Sequence, residues 1–153
     1  MWRNEKMAQM TLKVQGTGNG MRTDSVAGKH KIAIDEPVTM GGQDSAIDPL
    51  STFLASLIGC ENVMAQIIAK EMNFDLQGIS FEVEGELDTS GLMGNLEVKP
   101  YFQKVMIKAV VETSETQDRI NEMQAAVDLR CPVYRTIKDA GIPVENQWVK
   151  ATA

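Results

Sequence analysis

Two cysteines, one histidine and a scatter of carboxylates are the residues through which this 153-residue chain could do chemistry. Cys60 and Cys131 stand 71 positions apart, which is neither a zinc-ligand spacing nor a Cys-x-x-Cys pair. In a reducing compartment both are expected to rest as thiols. On composition alone each is a candidate small core residue, since free cysteine is often buried. Their surroundings differ. Cys131 directly precedes Pro132, a residue suited to the first position of a helix, so Cys131 is expected at the N-cap of a short helix that Gly141 ends. Unsatisfied backbone N–H groups and the helix dipole favour an anion there, and Arg130 and Arg135 are close in sequence, so Cys131 is expected to ionise readily. Cys60 lies mid-helix among apolar residues with Glu61 beside it. Burial alone raises a thiol pKa, so Cys60 needs a cation from elsewhere to become a nucleophile.

The remaining chemistry-bearing residues point to less. His30 is the lone histidine and falls in a strand pattern; even a catalytic zinc normally takes three protein ligands, so no metal site is expected. Gly16, Gly18 and Gly20 neither match the dinucleotide-binding pattern nor open a helix, and they read as a turn. No bound cofactor is expected. The net charge of −6, with basic residues scattered, argues against nucleic acid and anionic membrane surfaces as partners. No apolar run reaches the roughly 18 residues that span a bilayer, and the polar start Met1–Lys6 lacks a signal-peptide apolar region, so a cytoplasmic protein is expected. The length suggests one domain over 1–153, with residues 1–7 a loose tail.

The elements that must position the cysteines follow from periodicity. Residues 8–15 alternate apolar and polar, as a half-buried strand does, and 21–26 and 30–34 read as two further short strands in a meander. Residues 35–48, with glycines, a proline and several acids, read as a solvated loop. Asp48 caps a long helix from Pro49 to Met72 whose first half, Leu50–Cys60, is apolar nearly all round. Strands are expected at 78–88, with Ile79, Phe81 and Val83 inward, and at 101–112. A helix over 115–129, started by a Ser114/Gln117 capping box, presents Ile120, Met123 and Val127 on one face. Pro143–Val149 completes the chain as an edge strand. The order β-β-β-α-β-β-α-α-β, with long antiparallel strands, predicts an α+β fold.

The segment Asp35-Glu36-Pro37, Gly41-Gly42, Asp44, Pro49 and Phe53-Leu54-Ala55-Ser56-Leu57-Ile58-Gly59-Cys60, together with Cys131-Pro132-Val133, resembles the OsmC/Ohr family over residues 10–149. The resemblance implies an intertwined homodimer in which an antiparallel sheet wraps a long central helix carrying the first cysteine. It implies a thiol-dependent peroxidase for organic hydroperoxides, serving oxidative-stress defence. Cys60 would become a sulfenic acid, Cys131 would resolve it to a disulfide, and a lipoyl-type dithiol would restore the thiols. Family peroxidases carry an acid nine or ten positions before the first cysteine, where this chain has Ser51 and Leu50. The family's hairpin arginine falls on Asn19 by ungapped counting, and Arg22 is the nearby candidate to activate Cys60. Glu36, Asp44 and Glu61 are the acids that could substitute for the family carboxylate. The alternative is a non-catalytic protein of the same fold that binds a small apolar ligand at the dimer interface.

Overall fold

The computed structural model describes residues 9–153, so the expected tail over 1–7 lies outside the described residues. The described residues divide into two compact units, the first ending at Thr52 and the second spanning 53–153.

The first unit is an antiparallel sheet of β1 (Gln15–Asn19), β2 (Arg22–Ala27) and β3 (His30–Ile34) in that order. Its first strand lies further along than the alternation over 8–15 suggests: residues 9–14 form no ladder, and Gly16 and Gly18 are strand rather than turn residues. The reason is the tight reversal at Gly20, held at φ +60°, which pairs Asn19 with Arg22 and Gln15 with Val26. Turn geometry sets hairpin register, and it outweighs the upstream pattern here. Gly16 also has a packing reason, since a Cβ there would come within 2.5 Å of Ser25 Oγ. The expected solvated loop over 35–48 is instead ordered around a carboxylate. Asp35, 1% exposed, accepts hydrogen bonds from the backbone N–H groups of Glu36, Gln43 and Ser45 and from the Ser45 hydroxyl.

α1 (Pro49–Glu71) opens with Asp48 accepting from Ser51 N–H at 2.8 Å, as its sequence predicts. It is long and apolar enough to cross a membrane by composition, but its stripe of Leu57, Ala65 and Ile68 belongs to the core of the second unit. The sheet of that unit has the order β4 (Gly78–Glu86), β5 (Lys104–Glu112), β6 (Val144–Lys150). β5 buries Val105, Ile107, Ala109 and Val111 in alternation, and β4 follows the expected pattern with Phe81 and Val83 turned from solvent. A short helix, α2 (Thr89–Leu92), interrupts the loop between them. β4 and β5 are antiparallel, whereas β6 runs parallel to β5. A parallel neighbour needs a crossover, and α3 (Gln117–Arg130) with α4 (Pro132–Asp139) supplies it.

α3 buries Ile120, Met123 and Val127, the face read from sequence, each at 0% exposure. Its cap is Thr116, whose hydroxyl accepts from Arg119 N–H, in place of the Ser114/Gln117 box. Gln117 is drawn away to the sheet: its amide donates to Trp148 C=O and accepts from Lys150 N–H, which ties α3 to β6. Trp148, 2% exposed, meets Phe81 edge-on at 5.7 Å, so the outer strand closes the core with an aromatic pair. We expect Ile120→Ala to destabilise the protein by about 2–5 kcal/mol in urea unfolding, through the cavity it leaves between α3 and the sheet.

Candidate functional site

The second unit brings the two cysteines together. Cys131 ends α3 and caps α4, with φ −74° and ψ 113°, and its sulfur accepts from Tyr134 N–H at 3.5 Å. Pro132 follows at the start of α4, as the sequence predicts. Cys60, half-buried on α1, packs against the same core and lies close enough to Cys131 to act on its ionisation; both are free thiols.

The ionisation expected of Cys131 is overturned. Its side chain is fully buried, and its pKa is pushed up to about 12. Loss of hydration is the largest cause; the Tyr134 N–H works the other way, and Cys60 and Glu61 add to the rise. The two arginines that sequence proximity offered are engaged elsewhere: Arg130 pairs with Glu71 and Arg135 with Asp139, all at the surface. A helix N-terminus favours a thiolate only where the anion keeps some access to solvent or a counter-charge.

Beside the thiols lies a carboxyl pair, Glu61 buried and Asp128 half-buried. Glu61, the residue after Cys60, is 0% exposed. Its Oε1 accepts from Asn146 Nδ2 at 3.2 Å, and the same nitrogen donates to Asp128 Oδ1 at 2.7 Å. Trp148 Nε1–H donates to Asn146 Oδ1 at 2.9 Å, which fixes the amide with its NH2 toward the two acids. Glu61 Oε2 is buried with no partner. Burial, together with the like charge of Asp128, pushes Glu61 up to about 8, and burial raises Asp128 to about 6. Glu61 is therefore mostly protonated at neutral pH. Neither Asp128 nor Asn146 was singled out in the sequence, because each occupies a position that reads as an ordinary polar one; only the neighbouring Ile120/Met123/Val127 stripe hinted that Asp128 borders a buried face.

The first unit holds Arg22. Its Nε and Nη2 donate to the Asp24 carboxylate and its Nη1 to Ser45 Oγ at 2.7 Å. The Ser45 hydroxyl in turn donates to Asp35 at 2.7 Å. Asp35, held by its ring of donors and above all by Ser45, drops to about 2 and is an anion throughout the ordinary pH range. The Arg22 pKa is raised, chiefly by the hydrogen bond to Asp24. Asn19 and Arg22 face each other across the β-turn and line one cleft of about 210 Å³ with Asp35 and Gly42. Gly42 is required there, because a Cβ would sit 2.0 Å from Glu36 C=O. His30 is exposed on β3, and Glu36 and Asp44 belong to the Asp35 loop.

A model of the OsmC-like protein family matches residues 42–146, and the chain belongs to that family. Solved structures share its fold. An OsmC-like protein from Mycoplasma pneumoniae superposes with a TM-score of 0.82 at 16% identity, covering 94% of this chain and 99% of its own. An organic hydroperoxide resistance protein OsmC from Legionella pneumophila gives 0.70 at 20% identity, with 95% and 99% covered. The organic hydroperoxide resistance protein OhrB of Bacillus subtilis gives 0.61 at 20% identity, with 93% and 98% covered. Comparison with curated proteins found no match.

The two acids leave a signature in stability. Glu61 ionises near 4.5 when unfolded and near 8 when folded, so between those values the native state holds the extra proton. Stability then falls as pH rises from about 4.5 to 8 and levels beyond, by on the order of a few kcal/mol. Asp128 adds to the lower part of that fall. Glu61→Gln should flatten the slope and make the variant more stable than the parent at pH 8, read by urea unfolding across the pH range.

Proposed function

We propose that this protein is a thiol-dependent peroxidase that reduces organic hydroperoxides, with Cys60 as the attacking thiol and Cys131 as the resolving one. The observation that carries the reading is the adjacency of the two thiols, the more exposed on α1 and the fully buried one on the α3–α4 corner. The difference in access suits the roles: the attacking sulfur must meet peroxide, and the resolving sulfur needs to meet only Cys60. Membership of the OsmC-like family, and the hydroperoxide-resistance proteins among the structures that share the fold, support the same chemistry.

In the first step a Cys60 thiolate attacks the terminal peroxide oxygen, the O–O bond breaks, and the alkoxide leaves as the alcohol on taking a proton. In the second, Cys131 displaces water from the Cys60 sulfenic acid and the disulfide forms. A dithiol reductant, of which a lipoyl group is the family's type, returns both thiols. To Arg22 falls the role of the cation that favours the Cys60 thiolate; its anchoring by Asp24 and Ser45 supplies the carboxylate that Ser51 and Leu50 do not. We read the protein as one OsmC-like domain working as a cytoplasmic homodimer. The exposed apolar residues Leu50, Phe53, Val63 and Ile67 along α1 favour a second copy covering that helix. The buried, weakly acidic state of Cys131 favours the second reading, a binding protein for a small apolar ligand without turnover.

Cumene hydroperoxide added to the reduced protein should consume both thiols and yield an intramolecular disulfide by intact mass. Cys60→Ser should abolish peroxide consumption and Arg22→Ala should slow it; unreactive thiols, or full activity in Cys60→Ser, would refute the enzyme. Sedimentation velocity should show a dimer down to low concentration, and a folded monomer there would remove the homodimer from the reading.

A further inference from the structure

Disulfide chemistry requires two sulfurs on different elements to be held in register. Cys60 lies on α1, and Cys131 lies at the α3–α4 corner, buried in the core cluster that Cys60 packs against. Glu61 is the residue after Cys60. Asp128 stands three positions before Cys131, whose backbone N–H donates to Val127 C=O at 2.8 Å and so continues α3. Asn146 Nδ2 donates to both carboxyls, to Glu61 Oε1 at 3.2 Å and to Asp128 Oδ1 at 2.7 Å. The asparagine is itself fixed. Trp148 Nε1–H donates to its side-chain oxygen at 2.9 Å, and Gln124 Nε2 donates to its backbone C=O at 2.7 Å. Among the described residues, the side-chain hydrogen bonds that reach from α1 to α3 or β6 are this one and the exposed pairing of Glu71 with Arg130. An ion pair in water contributes little and is screened by salt, so the buried bond is the directional one.

We propose that Asn146 is the positioning residue for the thiol pair: through one amide nitrogen it joins the carboxyls beside Cys60 and Cys131 and holds the two sulfurs in register for disulfide formation. The inference rests on the assignment of Cys60 and Cys131 as attacking and resolving thiols. A disulfide needs its sulfurs about 2 Å apart within a narrow range of dihedral angle. A slip of α1 by one residue carries Cys60 about 1.5 Å along the helix axis, enough to defeat that geometry. Apolar contacts along α1 are non-directional. A hydrogen bond stretched by the same distance is lost, so the amide fixes the register where packing alone would not. The arrangement has a cost, because Glu61 is fully buried with Oε2 unpartnered. An apolar side chain would fill the same space without that cost, so what the amide adds is direction rather than stability.

The test reads the thiol pair without any peroxide. Full-length protein is equilibrated with mixtures of glutathione and glutathione disulfide, and the share carrying the Cys60–Cys131 disulfide is measured by intact mass. Two protein thiols are oxidised to one disulfide while one glutathione disulfide is reduced to two thiols, so the exchange balances. Its equilibrium constant reports how well the folded protein aligns the sulfurs, and a loss of global stability alone leaves it unchanged while the native state dominates. Asn146→Leu removes both donated hydrogens at similar volume and should lower the constant on the order of tenfold, about 30 mV in potential. Trp148→Phe keeps an aromatic ring against Phe81 and removes only the N–H that fixes the amide. It should lower the constant by a smaller factor, a readout that stands even if Asn146→Leu folds poorly. Asn146→Asp alone sets three acids together and should also lower it. Adding Glu61→Gln and Asp128→Asn to Asn146→Asp reverses each bond, donor for acceptor, and should return the constant close to the parental value. Parental constants in Asn146→Leu or Trp148→Phe overturn the proposal, as does a triple variant that regains stability in urea without regaining the constant. Thiols inert to cumene hydroperoxide with a constant that follows Asn146 would refute the peroxidase reading and leave this inference standing; peroxide turnover with a constant indifferent to Asn146 would do the reverse.

Discussion

One side-chain amide has to serve two acids, one buried and one half-buried, and much of the second unit is arranged around that constraint. Asn146 donates both of its amide hydrogens, one to Glu61 and one to Asp128, and its oxygen is spoken for by the Trp148 indole. The elements carrying these residues are α1, α3 and β6, and α3 is joined to β6 again through Gln117 and Gln124. Parallel placement of β6 beside β5 is what brings Asn146 and Trp148 to this side of the core. The geometry leaves one hydrogen bond for Glu61 where an ionised carboxylate would want several, so the acid retains its proton into the neutral range.

The first unit shows the opposite outcome with the same functional group. Asp35 is as enclosed as Glu61, yet it receives three backbone N–H groups and a hydroxyl and drops to about 2. Desolvation acts on both acids; the number of donors that reach each one decides the direction. Asp35 is thereby a fixed anion that organises a loop and steadies Ser45, which in turn holds Arg22. Glu61 is a group that can change its charge near neutral pH, placed next to a thiol that resists ionising. Hydrogen-bond supply sets Asp35 low, whereas deep burial and the like charge of Asp128 set Glu61 high.

That separation also accounts for the inequality between the cysteines. Local sequence favours Cys131 as the anion, because it caps a helix and has arginines nearby, and the cap does form. Complete burial and the company of Glu61 and Cys60 outweigh one N–H donor, while both arginines turn outward to surface carboxylates. A cap is a short-range device; the hydration lost on closing the core is the larger quantity.

Elements, caps and faces with local causes were legible in the sequence. Asp48 and Pro49 announce α1, Cys131 and Pro132 announce α4, the spacing of Ile120, Met123 and Val127 marks the buried face of α3, and alternation marks β4 and β5. The pairing of cysteine motifs was enough to identify the family. What the tertiary structure alone decided involves partners distant in the chain. The hairpin register moved β1 to Gln15–Asn19, β6 docked parallel through a crossover, and Asp128 and Asn146 met Glu61 across 67 and 85 positions. A carboxylate reads the same in sequence whether solvated, caged like Asp35 or stranded like Glu61. Its charge state depends on how much water the fold removes and how many donors it returns, and those are quantities of packing, not of residue order.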